Sequence, residues 1–171
     1  MKGSTYREAK GMPYVRREYI AGIPQPKIAK FTIGNPEGDY DLVIKLRSEE
    51  RGQIRHNALE AARVAANKIL SKQVGQGNYY MMIKVFPHVI LRENKMIATA
   101  GADRLQEGMR RAFGKPVGLA ARVGRGDVII EVGVKKGFLD TVKRALKIAT
   151  SKLPVKTKLD IVEAKKVKSG A

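Results

Sequence analysis

The sequence contains no cysteine and no tryptophan, and only two of its 171 residues are histidine. The absence of cysteine excludes disulfide bonds and thiolate metal sites, and it is typical of a cytoplasmic protein. His56 and His88 lie far apart in sequence, so a zinc site is not expected. We therefore predict that the protein holds no metal and needs no cofactor.

Long apolar runs are also lacking. No run approaches the roughly 18 residues that a membrane-spanning helix needs. The first residues, 1–7, lack the apolar centre of a secretory signal. We expect a cytoplasmic protein without a membrane partner.

Acidic residues are scarce relative to basic ones. The chain has 34 Lys and Arg against 16 Asp and Glu, a net charge of +18 and a pI near 10.3. Because such an excess of positive charge repels itself in a compact fold, it usually indicates a polyanionic partner. Nucleic acid is the first candidate and an anionic membrane surface is the second. Hydrophobic residues make up 43% of the chain, which is enough for one globular domain with a real core.

Catalytic motifs are missing as well. The segment Gly108–Lys115 resembles a phosphate-binding loop, but it has five residues between its glycines instead of four, and Pro116 stands where that loop needs Ser or Thr. Gly75-Gln76-Gly77 follows a predicted helix rather than a strand, so a dinucleotide site fails too. No Gly-x-Ser-x-Gly motif occurs. We predict a protein that is not an enzyme and has no small-molecule substrate.

The apolar pattern predicts a single α+β domain with a mixed or antiparallel sheet and two main helices packed on it. The predicted strands are 27–33, 40–46, 79–86, 89–97, 119–123, 127–134 and 155–162. Gly124-Arg125-Gly126 predicts a tight turn between two of these strands, with Arg125 at its tip.

Two amphipathic segments predict the helices. The first begins at Ser48-Glu49-Glu50, a hydroxyl cap followed by carboxylates, and ends near Gln73 before Gly75. Its apolar stripe consists of Ile54, Ala58, Ala61, Ala62, Ala65 and Ile69, which places His56 on the outer face. The second helix covers about 138–151, with Phe138, Val142, Ala145, Leu146 and Ala149 on its buried side.

Three basic segments flank or interrupt this core. Residues 1–27 form a basic arm rich in turns, and 164–171 form a basic tail. Residues 101–116, between core segments 28–100 and 117–163, carry three glycines and four basic residues. Since a long connection of this kind is usually functional or disordered, we predict a projecting loop that touches RNA. The alternative is a mobile surface loop with solvated arginines.

The basic residues are spread over the arm, both helices, the loop, the glycine turn and the tail. A protein that binds duplex DNA would be expected to concentrate them in one stripe or recognition helix. Their distribution instead favours contact with several backbones of a folded RNA.

Longer motifs give a specific resemblance. They include Ile23-Pro24-x-Pro26-Lys27-Ile28, the run 53–63 (Gln-Ile-Arg-His-Asn-Ala-Leu-Glu-Ala-Ala-Arg), 83–87 (Ile-Lys-Val-Phe-Pro), 100–116 and Leu153-Pro154-x-Lys156-Thr157-Lys158. Over nearly its whole length the chain resembles the large-subunit ribosomal protein family that joins bacterial "L sixteen" with archaeal and eukaryotic "L ten e". The loop has the archaeal–eukaryotic form.

The resemblance implies a structural role in the large subunit of the cytoplasmic ribosome. The implied partners are large-subunit rRNA, tRNA near the peptidyl-transferase region and neighbouring ribosomal proteins, with a part in late subunit maturation. The predicted rRNA contacts are Arg7, Lys10, Tyr14, Arg16, Arg17, Lys27, Arg55, His56, Arg63, Arg122, Arg125, Lys156 and Lys158. The predicted tRNA-proximal residues are Arg104, Gln106, Met109, Arg110, Arg111 and Lys115. The alternatives are an RNA-modifying enzyme or enzyme subunit, and a general nucleic-acid-coating protein.

Overall fold

The structure, a computed structural model, describes residues 2–13, 17–95 and 113–164. Within these ranges it contains eight strands, two α-helices and three short 3-10 helices. The strands are β1 (Thr32–Gly34), β2 (Leu42–Ser48), β3 (Gly52–Arg55), β4 (Tyr79–Ile83), β5 (Val89–Glu93), β6 (Lys115–Val123), β7 (Val128–Val134) and β8 (Thr157–Glu163). The α-helices are α1 (His56–Gln73) and α2 (Leu139–Thr150), and the 3-10 helices are Gly3–Tyr6, Arg17–Tyr19 and Lys136–Phe138.

The strands form two antiparallel sheets. The larger has the order β1-β4-β7-β2-β8, and the smaller has the order β3-β6-β5. The predicted α+β class with two main helices is confirmed. The predicted single sheet is divided, because β3 and β6 pair with each other instead of extending the larger sheet.

The core lies between one face of the larger sheet and the helices. In β2, Leu42, Ile44 and Leu46 alternate with more accessible residues, as expected for a strand with one buried face. Ile44 pairs with Val132 of β7, and both side chains are fully buried. The other face of the sheet carries charged side chains, so the larger sheet has a buried side and an open side.

Residues 124–126 form the predicted turn, with Gly126 at a φ of +91° and Arg125 exposed. However, β6 and β7 on either side of it do not pair, because they belong to different sheets. The Gly126 N–H donates to the Ser48 carbonyl (2.7 Å) at the end of β2. The turn therefore connects the two sheets instead of closing a hairpin.

The predicted start of the first helix is wrong by seven residues, since the cap position is Arg55 and not Ser48. Ser48 ends β2, and the Glu50 carboxylate accepts the Lys156 N–H (2.7 Å) and pairs with Arg7 (2.9 Å). Residues 52–55 then form β3, and α1 begins only at His56. Glu50 of the cap-like pattern thus connects segments that are distant in sequence. A local pattern cannot indicate contacts of this kind.

The helix ends are closer to expectation. As predicted, α1 stops at Gln73, and Gly75 follows with a φ of +88°. Its buried residues are His56, Leu59, Ala62, Ala66 and Leu70, so the predicted stripe is rotated and shares only Ala62 with them. The predicted buried face of α2 is confirmed, with Phe138 packed against the core from just before the helix.

Several strand bounds differ from the prediction. β1 covers only Thr32–Gly34, and β6 begins at Lys115, so Lys115 and Pro116 lie in a strand although they were assigned to the loop. In β8, at the edge of the sheet, Ile161 is 45% exposed. Part of the N-terminal arm is bound to the core, because the carbonyls of Tyr6, Arg7 and Glu8 accept hydrogen bonds from Gln53 of β3.

Candidate nucleic-acid interface

A shallow groove lies along the solvent side of α1. We call it the α1 groove. It comprises two adjoining depressions that share Asn57 and Lys152. The lining residues are Lys27, Arg55, Asn57, Ala58, Glu60, Ala61, Val64, Ala65, Lys68, Lys152, Leu153 and Pro154, together with Gly3 and Gln53. Ala61, Val64, Ala65 and Lys68 follow the helical spacing of three and four residues, so they form one continuous floor.

Small side chains make the floor of this groove accessible. Ala58, Ala61 and Ala65 were predicted to pack against a sheet, but Ala61 is exposed and the other two are only partly buried. An alanine projects little beyond the helix backbone, which allows a ligand backbone to approach closely. The spacing of these residues was readable from the sequence, but the face they occupy was not.

The cations of the groove have no acidic partner in the part of the chain that the structure describes. Lys27, Lys68 and Lys152 are exposed and Arg55 is half-buried, and none of the four forms an ion pair with a described residue. Lys68 and Lys152 are absent from the predicted contacts. Unpaired cations around an open groove produce a positive potential that attracts polyanions.

The one carboxylate among the lining residues of the groove is already engaged. Glu60 accepts a hydrogen bond from Arg63 Nε (2.8 Å), and the Arg63 hydrogen bond holds the pKa of Glu60 below its ordinary value. The Ala29 N–H also donates to this carboxylate (3.4 Å). Arg63, a predicted rRNA contact, is therefore largely occupied within the protein, and Glu60 does not neutralise the other cations.

The open side of the larger sheet has a different electrostatic character. Lys45 and Lys84 both lie near Glu131, at 3.9 and 3.6 Å, and Arg47 Nε lies 2.7 Å from Asp160. These basic residues are balanced by acidic neighbours on adjacent strands. These three cations are thus compensated, whereas Lys158 of β8, which lies opposite Arg47, is exposed and forms no ion pair with a described residue.

Comparison with known proteins identifies the family of this chain. The family model described as Ribosomal protein L16p/L10e matches residues 9–160. The chain belongs to this family. Its match spans most of the sequence, and the resemblance given by the motifs is confirmed.

Relatives of the L16p/L10e family support the same assignment. The "Large ribosomal subunit protein uL16" of Hyperthermus butylicus is 59% identical over 155 residues, covering 91% of this chain and 86% of the relative. The protein of that name in Staphylothermus marinus is 59% identical over 154 residues (90% and 88%), and the one in Sulfolobus acidocaldarius is 56% identical over 161 residues (93% and 92%). The archaeal form of the family is therefore confirmed. The relatives are structural ribosomal proteins and not enzymes, which confirms the predicted class of protein. A protein of this family acts in the cytoplasmic ribosome.

The remaining predicted contacts of this L16p/L10e protein occupy varied positions. Arg7 pairs with Glu50, and Lys10 with Glu8 (2.9 Å). The Arg122 guanidinium donates to the backbone carbonyls of Gly11 and Lys10, so it anchors the arm. The predicted contacts that are exposed are Arg17, Lys115, Arg125, Lys156 and Lys158. Tyr14, Arg16, Arg104, Gln106, Met109, Arg110 and Arg111 lie outside the described residues.

His56 is not on the outer face of α1, as predicted, but 3% exposed. Its Nδ1 accepts the Lys27 N–H at 3.3 Å, which ties the chain before β1 to the start of α1. Burial, and then the nearby charges of Lys27 and Arg55, lower the pKa of His56. The imidazole is therefore a neutral structural group next to the groove instead of a direct RNA contact.

Acidification is expected to weaken the fold through His56. In the unfolded chain a histidine takes up its proton near pH 6.5, whereas the folded chain resists protonation because the pKa of His56 is lowered. The stabilising contribution is thus complete above about pH 6.5 and is lost as the pH falls toward the folded-state pKa. Chemical denaturation between about pH 7.5 and 5 measures the free energy of unfolding, which should decrease as the pH falls. In the His56→Gln variant we expect this decrease to be smaller.

The matched control is His88→Gln, because His88 is exposed. This variant should keep the pH dependence of the unmodified protein. If His56→Gln and the unmodified protein decline in parallel, the buried imidazole does not carry the effect.

In the part of the chain that the structure describes, no cluster of histidine and carboxylate side chains is arranged to hold a metal ion. A search of the same residues finds no helix with the length and hydrophobicity to cross a bilayer.

Proposed function

We propose that this protein is a structural constituent of the large ribosomal subunit that binds rRNA through the α1 groove and neighbouring basic side chains. The archaeal relatives carry the name of a large-subunit protein. The net charge of +18 requires a polyanionic environment for most of its compensation. Folded rRNA provides such an environment, with several phosphate backbones close together.

The observation that carries the proposal is the difference between the two sides of the molecule. Lys27, Arg55, Lys68 and Lys152 surround an accessible helix floor without ion pairs to described residues, while Lys45, Arg47 and Lys84 on the open sheet side are paired. Cations that are not satisfied within a protein are those that gain most from contact with phosphate. This contrast supports a placement of the rRNA backbone along α1.

We also propose that the part of the 101–116 segment that precedes β6 reaches toward tRNA near the peptidyl-transferase region and that the protein acts late in subunit maturation. The family resemblance of this segment supports the proposal. The pairing of β5 with β6 agrees with this proposal. It extends to Glu93 and Lys115 and so brings the two ends of the intervening chain together at one end of this strand pair. The strand pair supports the segment from a rigid base.

Reconstitution tests the whole proposal. Large subunits stripped of this protein are supplied with the full chain or with a variant lacking 103–112, which leaves Phe113 in place. We expect both chains to rejoin the subunit with equal affinity, because the groove is intact in both. Only the full chain should restore tRNA binding and peptide synthesis.

Sedimentation measures the rejoining, and peptide formation measures the restored function. Failure of the full chain to join the particle would exclude the rRNA part of the proposal. Equal peptide synthesis with both chains would exclude the tRNA part. Equal unfolding temperatures of the two chains are the control for an intact fold.

A further inference from the structure

Phe113 is a large aromatic side chain exposed to solvent. Its side chain is 69% exposed, although it lies next to the well-paired start of β6. The guanidinium carbon of Arg92 lies 3.8 Å from the centre of its ring. One part of the ring is thus engaged in a cation–π contact, and much of the rest remains open.

The position of this pair is fixed from several directions. The Tyr6 hydroxyl donates to the Arg92 carbonyl at 3.0 Å, and the Tyr6 ring packs against the small cluster beneath β5 and β6. Gly114 lies so close to the Glu93 backbone that an added Cβ would be 2.6 Å from the Glu93 carbonyl carbon. Because only glycine permits this approach, Phe113 is held at the end of the β5–β6 strand pair.

The surroundings of the ring favour an anionic ligand with a flat face. Lys95 and Lys115 are exposed on the two chain segments that flank Arg92 and Phe113. An exposed aromatic ring among cations is the arrangement with which proteins stack unpaired bases while their cations follow the phosphate backbone. An exposed apolar protein segment would gain little from these positive charges.

We propose that Phe113 is a stacking site for an unpaired RNA base and that Arg92 is its positioning residue. The base lies on the open part of the ring, and the Arg92 guanidinium holds the ring in place. This inference rests on the proposed RNA-binding function and adds to it a contact with a base, in addition to the phosphate contacts of the α1 groove.

The lack of tryptophan in the chain makes the test direct. Phe113→Trp introduces the only indole of the chain at the site, which can be excited selectively over the tyrosines, and Phe86→Trp is the matched control. Phe86 is 56% exposed and stacks on Phe31 at 5.6 Å between ring centres. The probe is a short single-stranded RNA, compared with the same strand carrying abasic sites and with poly-glutamate.

We expect single-stranded RNA to quench the indole fluorescence of the Phe113→Trp variant strongly and that of the Phe86→Trp variant little. Abasic RNA should bind the Phe113→Trp variant without quenching it. Phe113→Leu should weaken the affinity for single-stranded RNA about five- to hundredfold, the range expected for one stacked base. In the Phe113→Trp background, Arg92→Lys keeps the charge but loses the planar group, so it should reduce the quenching.

The possible failures are distinguishable. If RNA binds the Phe113→Trp variant, as measured by anisotropy of a labelled strand, but does not quench its indole, the stacking site is wrong while the proposed function stands. Equal quenching by abasic RNA or by poly-glutamate also overturns the stacking site, the latter in favour of an acidic protein partner. If the full chain binds no RNA at all, the proposed function and the stacking site both fail.

Discussion

Replacing Lys27, Arg55, Lys68 and Lys152 together by glutamine is expected to reduce the affinity for large-subunit rRNA on the order of a hundred- to a thousandfold at about 0.1 M salt. These side chains surround the α1 groove and have no ion pair with a described residue. Each phosphate that a cation neutralises adds about 0.7 to 0.9 to the slope of log affinity against log salt concentration. Losing four such contacts should therefore make the slope shallower by about three.

Filter binding over a series of salt concentrations measures both quantities. If the intact protein contacts about ten phosphates, its slope should be near −7 to −9. The substitutions are on exposed or half-buried side chains, so the unfolding temperature should change little. This last measurement separates a lost contact from a lost fold.

The matched control removes four cations that are paired within the protein. Lys45, Arg47, Lys84 and Lys136 each lie within 3.9 Å of a carboxylate, and their replacement by glutamine lowers the net charge equally. A small change in rRNA affinity is expected from this variant. If both variants lose the same affinity, total charge and not the groove governs binding. Duplex DNA that competes equally with rRNA would favour a general coating protein.

Gly133→Val is expected to destabilise the fold by about 2–4 kcal/mol. Gly133 lies opposite Tyr80 in the pairing of β4 with β7, and the Tyr80 ring covers it. A Cβ at this position would be 2.0 Å from Tyr80 Cε1 and 2.5 Å from Cδ1. The ring would have to leave its place, where its hydroxyl donates to Glu131 (2.9 Å) and it contacts Tyr40.

Denaturant titration of the full chain gives the free energy of unfolding. For a chain of this length the loss corresponds to a decrease of roughly 10 °C in the unfolding temperature. Gly77→Val is the control, because nothing lies within 4 Å of a Cβ built there. A second test is Gly133→Val combined with Tyr80→Ala, in which the added cost of the valine should largely disappear. Equal costs with and without the Tyr80 ring would show that the clash is not the cause.

Local patterns predicted the elements that depend on neighbouring residues. The end of α1 at Gln73, the buried face of α2 and the turn at 124–126 all follow from spacing, glycine and proline. The start of α1 was misplaced because Glu50 bonds to Lys156 and Arg7, which are remote in sequence. The division into two sheets likewise depends on which strands meet, and alternation within a strand carries no information on this.

The candidate interface was likewise predicted only where neighbouring residues or the family resemblance indicated it. The basic excess and the family resemblance predicted an RNA-binding protein, and Lys27 and Arg55 were among the predicted contacts. Lys152 was missed because it reaches the groove from the segment after α2. Lys68 was missed because the accessible side of α1 next to it was assigned to the core. His56 was assigned to the wrong face, because most of the alanine stripe taken as buried lies on the accessible side of α1, and the buried side is formed by His56, Leu59, Ala62, Ala66 and Leu70.

The placement of β8 has a consequence for biosynthesis. β2 lies between β7 and β8, so one edge of β2 acquires its partner only from the last strand of the described chain. Until that strand is synthesised, the nascent polypeptide presents an unpaired edge that invites pairing with other chains. A product whose translation stops before β8 would therefore be prone to aggregate, even though most of its core residues are already present.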